Sequence, residues 1–356
     1  MTGFPGFLGS ALLPRLLAKR EGTRAICLVQ DRHMATAQAR LAQIQADAPH
    51  TADRIMLVSG DITQPGLGIS PGHDGAVNDV TEVWHLAAVY DLSVAAEIAR
   101  KVNVEGTANV LQFCQERANF QRLQYVSTCY VSGRYQGEFP EAELELGQAF
   151  QNHYESTKFE AEKLVRAAMA DGLPATIYRP GIVVGDSTTG ETQKYDGPYF
   201  VASYICRMPK VVFLPELDAS VKASMVPRDF VVAAMDELSV QGRSLGKTYA
   251  LTDPNPPSGK EAAQIMAQHL GRRIVWLPIP LALLHSLLDT VPGMEQLTGL
   301  PAESLDYFSF PTTYSTRNMV ADLAGTGVKC PSFASYAGTM LDFMAAHPEI
   351  DSSAMV

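Results

Sequence analysis

Three glycines stand at every third position near the start of the chain, and a helical pattern follows them directly. Residues 2–9 have the sequence TGFPGFLG, and four leucines between residues 10 and 20 then form one apolar face of a helix. A glycine loop that leads into a helix lets the backbone approach a pyrophosphate, whose charge lies at the helix N-terminus. Because short glycine patterns also arise by chance, the weight of this one depends on the residues that follow.

Short apolar runs then alternate with helical patterns. The runs are typical of strands that are buried on both faces. They lie at residues 25–29, 55–58, 83–88, 123–127 and 175–178. The helical patterns between them lie at residues 35–46, 103–114 and 154–170. This alternation predicts an α/β fold with a Rossmann-type, doubly wound parallel sheet and right-handed crossovers.

The strand that should deliver the chain to the glycine loop has no residues to form it, because the loop begins at Thr2. In a doubly wound sheet this first strand is central and has a neighbour on each side. Its absence leaves buried backbone groups of both neighbours without ladder partners. We therefore expect a first strand that is missing or truncated, through a misplaced start or a shortened chain.

Tyr154 and Lys158 lie four residues apart, so their side chains share one face of the helix predicted at 154–170. An ammonium beside a tyrosine favours the phenolate and lowers a pKa that is otherwise about 10. The phenol can then donate a proton to a carbonyl oxygen as a hydride reaches the carbon, or remove a proton from an alcohol in reverse. Many surface helices carry such a pair. After a glycine loop and alternating strands, however, it predicts a nicotinamide-dependent oxidoreductase.

Two hydroxyl residues, Ser127 and Thr128, end the strand that precedes this helix. Ligands bind at the carboxyl ends of parallel strands, so a hydroxyl here can hydrogen-bond a substrate oxygen and share its negative charge. A residue that caps a turn fits the same position. Spacing does not decide which of the two hydroxyls faces the substrate.

Charged residues follow two other predicted strands. Asp61 can accept a hydrogen bond from an adenine amine, and it fits equally well as the N-cap of the next helix. Asp31 and Arg32 follow the strand at 25–29. An acid there binds the ribose hydroxyl of NAD, whereas an arginine binds the extra phosphate of NADP. Asp31 and Arg32 therefore predict different coenzymes.

The alternation ends near residue 185. Proline and glycine become frequent beyond it, notably in PNPP at 254–257 and LPIP at 277–280. We therefore expect residues 1–185 to form the dinucleotide-binding domain. Residues 186–356 are expected to form mainly a smaller substrate-binding region, with some segments that return to the Rossmann core.

Composition narrows the classes of function. Of the 356 residues, 46% are hydrophobic, which suffices for a full core and argues against disorder. The net charge of −10 argues against a nucleic-acid partner, because phosphate binding needs clustered Lys and Arg. The five cysteines are dispersed without a CxxC pair, so neither a disulfide framework nor a metal site is expected.

Location follows from the same observations. Reduced cysteines favour the cytoplasm, and the residues shown contain no signal-peptide pattern. No uninterrupted apolar span is long enough to cross a bilayer, although peripheral membrane contact stays open. The oligomeric state is not predicted.

Five motifs occur in the order typical of the extended short-chain dehydrogenase/reductase superfamily, which the chain resembles over roughly its first half. They are TGxxGxxG at 2–9, GDI at 60–62, HLAA at 85–88, YxxxK at 154–158 and YRPG at 178–181. Segments 102–107, 125–128 and 179–185 are most similar to one branch of it. That branch contains the thioester reductase domains and the fatty acyl-CoA reductases of the male-sterility type.

The resemblance implies roles for individual residues. Thr128, Tyr154 and Lys158 would be the catalytic residues, with Lys158 also holding the nicotinamide ribose. Gly3, Gly6 and Gly9 would cradle the pyrophosphate, Asp61 and Ile62 would bind the adenine, and Ala87 and Ala88 would contact the central span of the cofactor. Pro180 would open the stretch that packs near the nicotinamide ring. The residues expected to bind the cofactor are therefore Thr2, Gly3, Gly6, Phe7, Leu8, Gly9, Arg32, Asp61, Ile62, Ala87, Ala88, Asn103, Tyr154, Lys158, Pro180 and Val183.

The resemblance also implies the coenzyme. Members of this branch usually place an arginine directly after the second strand, where it favours NADPH. This chain has Gln30 there and Arg32 two positions later. NADPH is therefore expected, with NADH as the alternative.

The reaction that the branch implies is hydride transfer to an acyl thioester, carried by coenzyme A or by a carrier protein. Loss of the thiol gives an aldehyde, and a second hydride gives an alcohol. Fold and catalytic residues do not fix the substrate. An extended-type dehydrogenase or epimerase that acts on a sugar nucleotide or sterol-like alcohol is the alternative. A non-catalytic NAD(P)-sensing protein is a second one, against which the intact Tyr154 and Lys158 speak.

A run of large apolar residues occupies positions 274–284. It can line a tunnel for an acyl chain or dip into a membrane surface, but a segment this short usually packs inside, here as a core helix of the smaller region. Four further residues can face the pocket, although aromatic clusters are more often core: Phe308, Phe310, Tyr314 and Arg317.

Overall fold

The computed structural model describes residues 1–69, 72–90, 94–280, 283, 286, 290 and 312–350. The strands of this part are β1 (Ala25–Val29), β2 (Ile55–Ser59), β3 (Glu82–His85), β4 (Arg122–Val126), β5 (Gly137–Phe139), β6 (Ala175–Pro180), β7 (Ile182–Val184), β8 (Val211–Pro215), β9 (Met225–Pro227), β10 (Thr248–Leu251), β11 (Arg273–Leu277) and β12 (Thr312–Tyr314). Its helices are α1 (Phe7–Lys19), α2 (Met34–Asp47), α3 (Asp74–Asn78), α4 (Ala96–Ala99), α5 (Gly106–Gln115), α6 (His153–Ala170), α7 (Pro198–Arg207), α8 (Arg228–Ser239), α9 (Gly259–His269), α10 (Arg317–Leu323) and α11 (Phe333–Ala346). A π-helical turn, Arg100–Glu105, joins α4 to α5.

A parallel sheet forms the centre of the fold. Four strands pair in the order β10-β6-β4-β3, and β1 pairs in parallel with β2. Helices α1 and α8 pack on one face of the sheet, and α5 and α6 pack on the other. The doubly wound α/β fold predicted from the sequence is therefore confirmed.

Only Met1 and Thr2 lie between the two groups of strands. The Met1 amino group donates to the Ile26 carbonyl at 2.6 Å, and the Leu28 N–H donates to the Met1 carbonyl at 2.9 Å. On the other side, the Thr2 N–H donates to the Trp84 carbonyl at 2.9 Å. Met1 and Thr2 therefore occupy the place of the strand expected before the glycine loop.

Strand β3 is shorter than predicted. It ends at His85, whereas the apolar run continues to Ala88. Beyond His85 the chain passes directly over the glycine loop, so a Cβ on Gly3 would lie 2.8 Å from the Ala87 nitrogen. The backbone therefore leaves the sheet at this point and forms a wall of the cleft described below.

The carboxyl-terminal part has a core of its own, made by α7, α9, α11 and the strand pair β8-β11. The predicted core helix at 274–284 is wrong for residues 274–277, which form β11. Pairing with β8 satisfies their backbone, and β-branched and aromatic residues suit a strand. Positions 281, 282, 284, 308 and 310 lie outside the described residues. None of the helices that the structure describes is long and apolar enough to cross a membrane.

Candidate active site

A cleft of about 1220 Å³ follows the carboxyl ends of the sheet strands. Its wall begins at the glycine loop, passes the ends of β1, β3, β4 and β6, and continues to α7, β8 and α9. The three expected catalytic residues all line it. So do all the expected cofactor-binding residues except Asp61 and Asn103.

The glycine loop is wound so tightly that its glycines have no space for a Cβ. Gly3 has a φ of +86°, and a Cβ on Gly6 or Gly9 would lie 2.8 Å from the Gly3 carbonyl oxygen. Helix α1 begins at Phe7, and its N-cap, Gly6, makes no side-chain hydrogen bond to the helix. The first N–H groups of α1 are therefore free of side-chain caps, which fits the pyrophosphate of a dinucleotide.

Asp61 lies in a second pocket of about 560 Å³, whose lining shares Gln30, Arg32, Gly60 and Val102 with the cleft. Its carboxylate accepts a hydrogen bond from the Thr63 N–H at 2.8 Å. Burial alone would raise the pKa of Asp61, but hydrogen bonds, chiefly from Thr63, outweigh burial and lower it. Asp61 thus closes a local turn, whereas the N-cap of the next helix, Pro65–Gly68, is Gln64, so the capping alternative is wrong. The role of Asp61 toward adenine stays a prediction.

Asn103 is buried and is absent from the described cleft wall. Its side-chain amide bonds both backbone groups of Val89: its oxygen accepts from the Val89 N–H at 2.9 Å, and its nitrogen donates to the Val89 carbonyl at 3.0 Å. It also donates to the Thr157 hydroxyl at 3.0 Å. Asn103 therefore holds the chain that follows Ala88 against helix α6 and does not itself line the cleft.

Tyr154 lies in the first turn of α6, which begins after the N-cap Asn152. The Thr128 hydroxyl at the end of β4 lies near the Tyr154 phenol and lowers its pKa. The neighbouring Ser127 hydroxyl instead donates to the buried Glu162 carboxylate at 2.7 Å. Of the two hydroxyls that the sequence leaves open, Thr128 is the one that contacts Tyr154.

Burial raises the pKa of Tyr154 to about 12, although the nearby Thr128 hydroxyl favours the phenolate. This is opposite to the lowered pKa that the neighbouring lysine predicts. Lys158 directs its N–H groups to the Tyr125 hydroxyl at 3.1 Å and the Val126 carbonyl at 2.9 Å. Tyr154 is therefore a neutral phenol, which is the form that can donate a proton.

Lys158 is also buried, and burial lowers its pKa to about 8. Glu162, one helical turn further along α6, favours the ammonium form. Its carboxylate pairs with Arg179 at 2.6 Å, and both side chains are almost inaccessible. Burial would raise the pKa of Glu162, but the charge of Arg179 lowers it to about 2. A fixed negative charge thus lies behind Lys158.

Sequence reasoning missed three residues of this site: Tyr125, Glu162 and Arg179. Glu162 follows Lys158 by four residues, as Lys158 follows Tyr154, and this spacing places all three on one helix face. Tyr125 and Ser127 are two positions apart in a strand and so point to one face of the sheet. These periods could have identified Tyr125 and Glu162, whereas the pairing with Arg179 depends on tertiary contact.

Beyond Pro180 and Val183 the cleft wall carries a group of apolar side chains beside polar ones such as Lys194 and Lys222. The apolar group includes side chains from β8, β9 and α9, namely Leu214, Met225, Ala262, Ala263 and Met266. Tyr314 also lines the cleft, whereas Arg317 is exposed and lies 3.5 Å from Glu138. The cleft therefore extends from the glycine loop to this group of apolar side chains, and Tyr154 lines it.

Comparisons with known proteins agree with this geometry. Residues 1–235 match the NAD-binding family described as male sterility protein. The chain is 29% identical over 265 residues to a linear gramicidin synthase of Brevibacillus parabrevis, a match that covers 72% of this chain and 5% of that protein. It is 29% identical over 273 residues to fatty acyl-CoA reductase wat of Drosophila melanogaster, or 66% of this chain and 52% of that protein.

Solved structures include a terminal R domain from the myxalamid PKS-NRPS biosynthetic pathway. It is 30% identical with a TM-score of 0.84, and the match covers 98% of this chain and 90% of that domain. The reductase (R) domain of a nonribosomal peptide synthetase from Mycobacterium tuberculosis shares the fold, with 20% identity, a TM-score of 0.72 and coverage of 98% and 90%.

The chain spans only a part of its curated relatives. Its match covers 5% of the linear gramicidin synthase, and 25% and 34% of two Aspergillus nonribosomal peptide synthetases. The similarity therefore concerns one segment of each of these proteins.

Proposed function

The chain belongs to the male sterility protein family, within the NAD(P)-dependent oxidoreductases of the short-chain dehydrogenase/reductase type, and we propose that it reduces an acyl thioester with NADPH. One observation carries the proposal. A neutral Tyr154 phenol, near the Thr128 hydroxyl, lines a cleft that has a glycine loop at one end and a group of apolar side chains at the other. That arrangement suits proton donation to a carbonyl held beside a dinucleotide.

A nicotinamide cofactor bound at the glycine loop would supply the hydride for the thioester carbon. Tyr154 gives its proton to the carbonyl oxygen, and the Thr128 hydroxyl stabilises the phenolate that results. Tyr154 takes the proton back as the carbon–sulfur bond breaks and the aldehyde forms, and the departing thiolate takes up a proton. The balance is one hydride and one proton consumed, with one aldehyde and one thiol released.

The positive charge of Lys158 assists the proton transfer between Tyr154 and the substrate. An ammonium one helical turn from Tyr154 favours the phenolate during the time that the proton is on the substrate. Two of its three N–H groups have partners among the described residues, Tyr125 and Val126. The third is left for the nicotinamide ribose, the contact that the family resemblance implies.

The lining of the cleft supports an acyl thioester as the substrate class. The compartment around Leu214 and Met266 suits an apolar acyl chain. Gln151 and Gln193 line the cleft too, and the side-chain oxygen of each has no hydrogen-bond partner among the described residues. These oxygens suit the amide N–H groups of a pantetheine arm, which coenzyme A and carrier proteins share.

The loop after β1 supports NADPH as the coenzyme. The Asp31 carboxylate accepts a hydrogen bond from the Ser59 hydroxyl, so it is already engaged. The Arg32 Nε donates to Gln30 Oε1 at 2.9 Å. Lys101 and Arg32 both line the pocket of about 560 Å³. Two cations beside an engaged carboxylate suit the extra phosphate of NADPH.

The test is a screen of the purified chain with NADPH against a long-chain acyl-CoA, a carrier-bound acyl group and a secondary alcohol with oxidised cofactor. We expect cofactor oxidation with release of one thiol per cofactor for a thioester, and an aldehyde product unless a second hydride gives the alcohol. Turnover of the secondary alcohol alone would favour the dehydrogenase or epimerase alternative. Cofactor binding without turnover of any substrate would favour a sensor.

A further inference from the structure

The wall of the cleft carries more positive than negative charge. Its Lys and Arg residues are Arg32, Lys158, Lys194 and Lys222, and Asp196 is its only carboxylate among the described residues. The chain as a whole has the opposite balance, with 38 acidic residues against 28 Lys and Arg. An excess of positive charge that is confined to a cleft attracts anionic ligands.

Three of these four cations already have a partner or an expected role. Arg32 lines the pocket expected to receive the extra phosphate of NADPH, and Lys158 is one of the expected catalytic residues. Lys194 pairs with Asp196 at 2.8 Å. Lys222 is the fourth, and its side chain makes no hydrogen bond or ion pair within the part of the chain that the structure describes.

The backbone on each side of Lys222 is fixed by a hydrogen bond. The Gly259 N–H donates to the Val221 carbonyl at 3.2 Å. The Ala223 N–H donates to the Pro257 carbonyl at 2.8 Å. These bonds tie the segment to the chain where α9 begins, and the Lys222 side chain is half-buried in the cleft wall. The charge of Lys222 is therefore held at a defined place.

That place belongs to the part of the cleft expected to receive the substrate. The Ser224 carbonyl, two residues after Lys222, accepts from the Ile182 N–H at 2.9 Å. Ile182 directly follows the YRPG stretch, which is expected near the nicotinamide. Two residues of extended chain span at most about 7 Å. Lys222 is thus placed to act on the substrate, whereas Arg32 is placed to act on the adenosine half of the cofactor.

Glu261 is a carboxylate that interacts electrostatically with Lys222. It accepts hydrogen bonds from the Ser258 N–H at 2.7 Å and from the Ser258 hydroxyl at 2.8 Å, and so completes the cap of α9. Its side chain is exposed to solvent, which screens its charge. The positive charge of Lys222 therefore stays available to a ligand in the cleft.

We propose that Lys222 binds the phosphate of the substrate's pantetheine arm, a group that coenzyme A and carrier proteins share. The inference rests on the proposed function and adds a charged contact to it. Gln151 and Gln193 accept from the amide groups of the arm, and Lys222 holds its phosphate. Fixing the arm at several points places the thioester carbon beside Tyr154.

The experiment compares the binding of phosphopantetheine with that of pantetheine, which lacks only the phosphate, by calorimetry on the full chain with NADPH bound. We expect the wild type to bind phosphopantetheine about tenfold or more tightly, because a charged hydrogen bond is added. Lys222→Met should abolish this preference and leave the Kd of pantetheine unchanged. Lys222→Arg keeps the charge and should keep most of the preference.

Lys260→Met is the matched control. Lys260 lies in the first turn of α9, pairs with Glu216, and is not part of the described cleft wall. Its loss should leave the preference for phosphopantetheine intact. The rise in melting temperature with NADPH shows that each variant is folded, and Lys222→Gln replaces Lys222→Met if the latter does not fold. A preference that survives the loss of Lys222, or an equal loss of affinity for both ligands, would overturn the proposal.

Turnover separates this proposal from the proposed function. With one acyl group on either arm, Lys222→Met should raise KM for acyl-phosphopantetheine about tenfold and leave kcat, and both constants for acyl-pantetheine, unchanged. A phosphate preference without reduction of either thioester would leave the binding site standing and reject the reaction. Reduction of both thioesters by the wild type without any preference would do the reverse. Binding of UDP-glucose that depends on Lys222, with no binding of phosphopantetheine, would overturn the assignment to the arm.

Discussion

Tyr154 is the residue on which the proposed chemistry depends most. Tyr154→Phe removes the proton donor and keeps the ring, so we expect kcat to fall by roughly 100-fold or more. The affinity for NADPH should stay nearly unchanged, because the phenol oxygen is one of many cleft contacts. Steady-state rates and a fluorescence titration of the cofactor measure the two quantities. An unaltered kcat would remove Tyr154 from the mechanism.

Glu162 is the buried charge that the sequence did not reveal. Glu162→Gln leaves Arg179 without its ionic partner, and we expect the free energy of unfolding to fall by ~3–5 kcal/mol. The pKa of Glu162 is about 2 in the folded protein and 4.5 in its ordinary range. The stabilisation is therefore present above about pH 4.5 and is lost as the pH falls toward about 2.

Denaturant unfolding of wild type and variant, at about pH 7 and about pH 3, tests this expectation. The loss in free energy of unfolding caused by Glu162→Gln should be smaller at the lower pH. Glu160→Gln is the control on the same helix, since Glu160 pairs with Arg100 at 2.7 Å on the exposed surface. It should cost ~0–1 kcal/mol. A deficit of Glu162→Gln that is the same at both pH values would contradict the assigned charge.

Gly3 differs from other glycines of similar conformation in what surrounds it. Gly3 and Gly22 both have positive φ, +86° and +71°, but only Gly3 has backbone atoms close to where a Cβ would lie. Gly22→Ala should cost ~1–2 kcal/mol and leave cofactor binding intact. Gly3→Ala should abolish the rise in melting temperature that NADPH causes by mass action. Equal responses of the two variants to NADPH would argue against the loop as the cofactor site.

At the scale of elements, the loop after β1 is expected to select the coenzyme. Arg32→Ala should weaken NADPH binding about tenfold or more and leave NADH binding nearly unchanged, because a hydrogen-bonded charge contact to the extra phosphate is lost. The ratio of kcat/KM for the two coenzymes measures this. Arg40→Ala, on α2 and outside the described cleft wall, serves as the control. A ratio unchanged by Arg32→Ala would assign the phosphate to other residues.

The elements that the sequence predicted well are those defined by local pattern. Strand β1 was predicted with its exact bounds, and α6 within one residue, because apolar runs and helical periodicity are local. The pairs β8-β11, β7-β9 and β5-β12 were not foreseen, since each joins segments far apart in the chain. The strand at 274–277 was missed for the same reason.

At the scale of the whole molecule, the sequence placed most expected site residues on one cleft. Motifs fixed the order of the glycine loop, the strand ends and the catalytic helix, and the parallel sheet brings these to one edge. Prediction from the sequence failed for properties that depend on the charges and burial around a residue. The pKa of Tyr154 rises rather than falls, and Asn103 fixes the backbone of Val89 instead of lining the cleft. Both depend on tertiary packing.

The division of the chain at residue 185 stays a prediction. Strand β10 and helix α8 lie beyond that residue and pack with the central sheet, while α7, α9 and α11 form a separate core. Limited proteolysis with and without NADPH tests the division. We expect cleavage first in the carboxyl-terminal part, and protection of the glycine-loop end by the cofactor.

The central claim, hydride transfer to a thioester carbon with Tyr154 as the proton donor, is tested most directly with isotopically labelled cofactor. The purified chain is given an acyl thioester and NADPH that carries deuterium at the hydride-donating carbon. The account predicts an aldehyde with one deuterium on its carbonyl carbon, one free thiol per cofactor oxidised, and neither product in Tyr154→Phe. An intact thioester alongside oxidation of a secondary alcohol would contradict it.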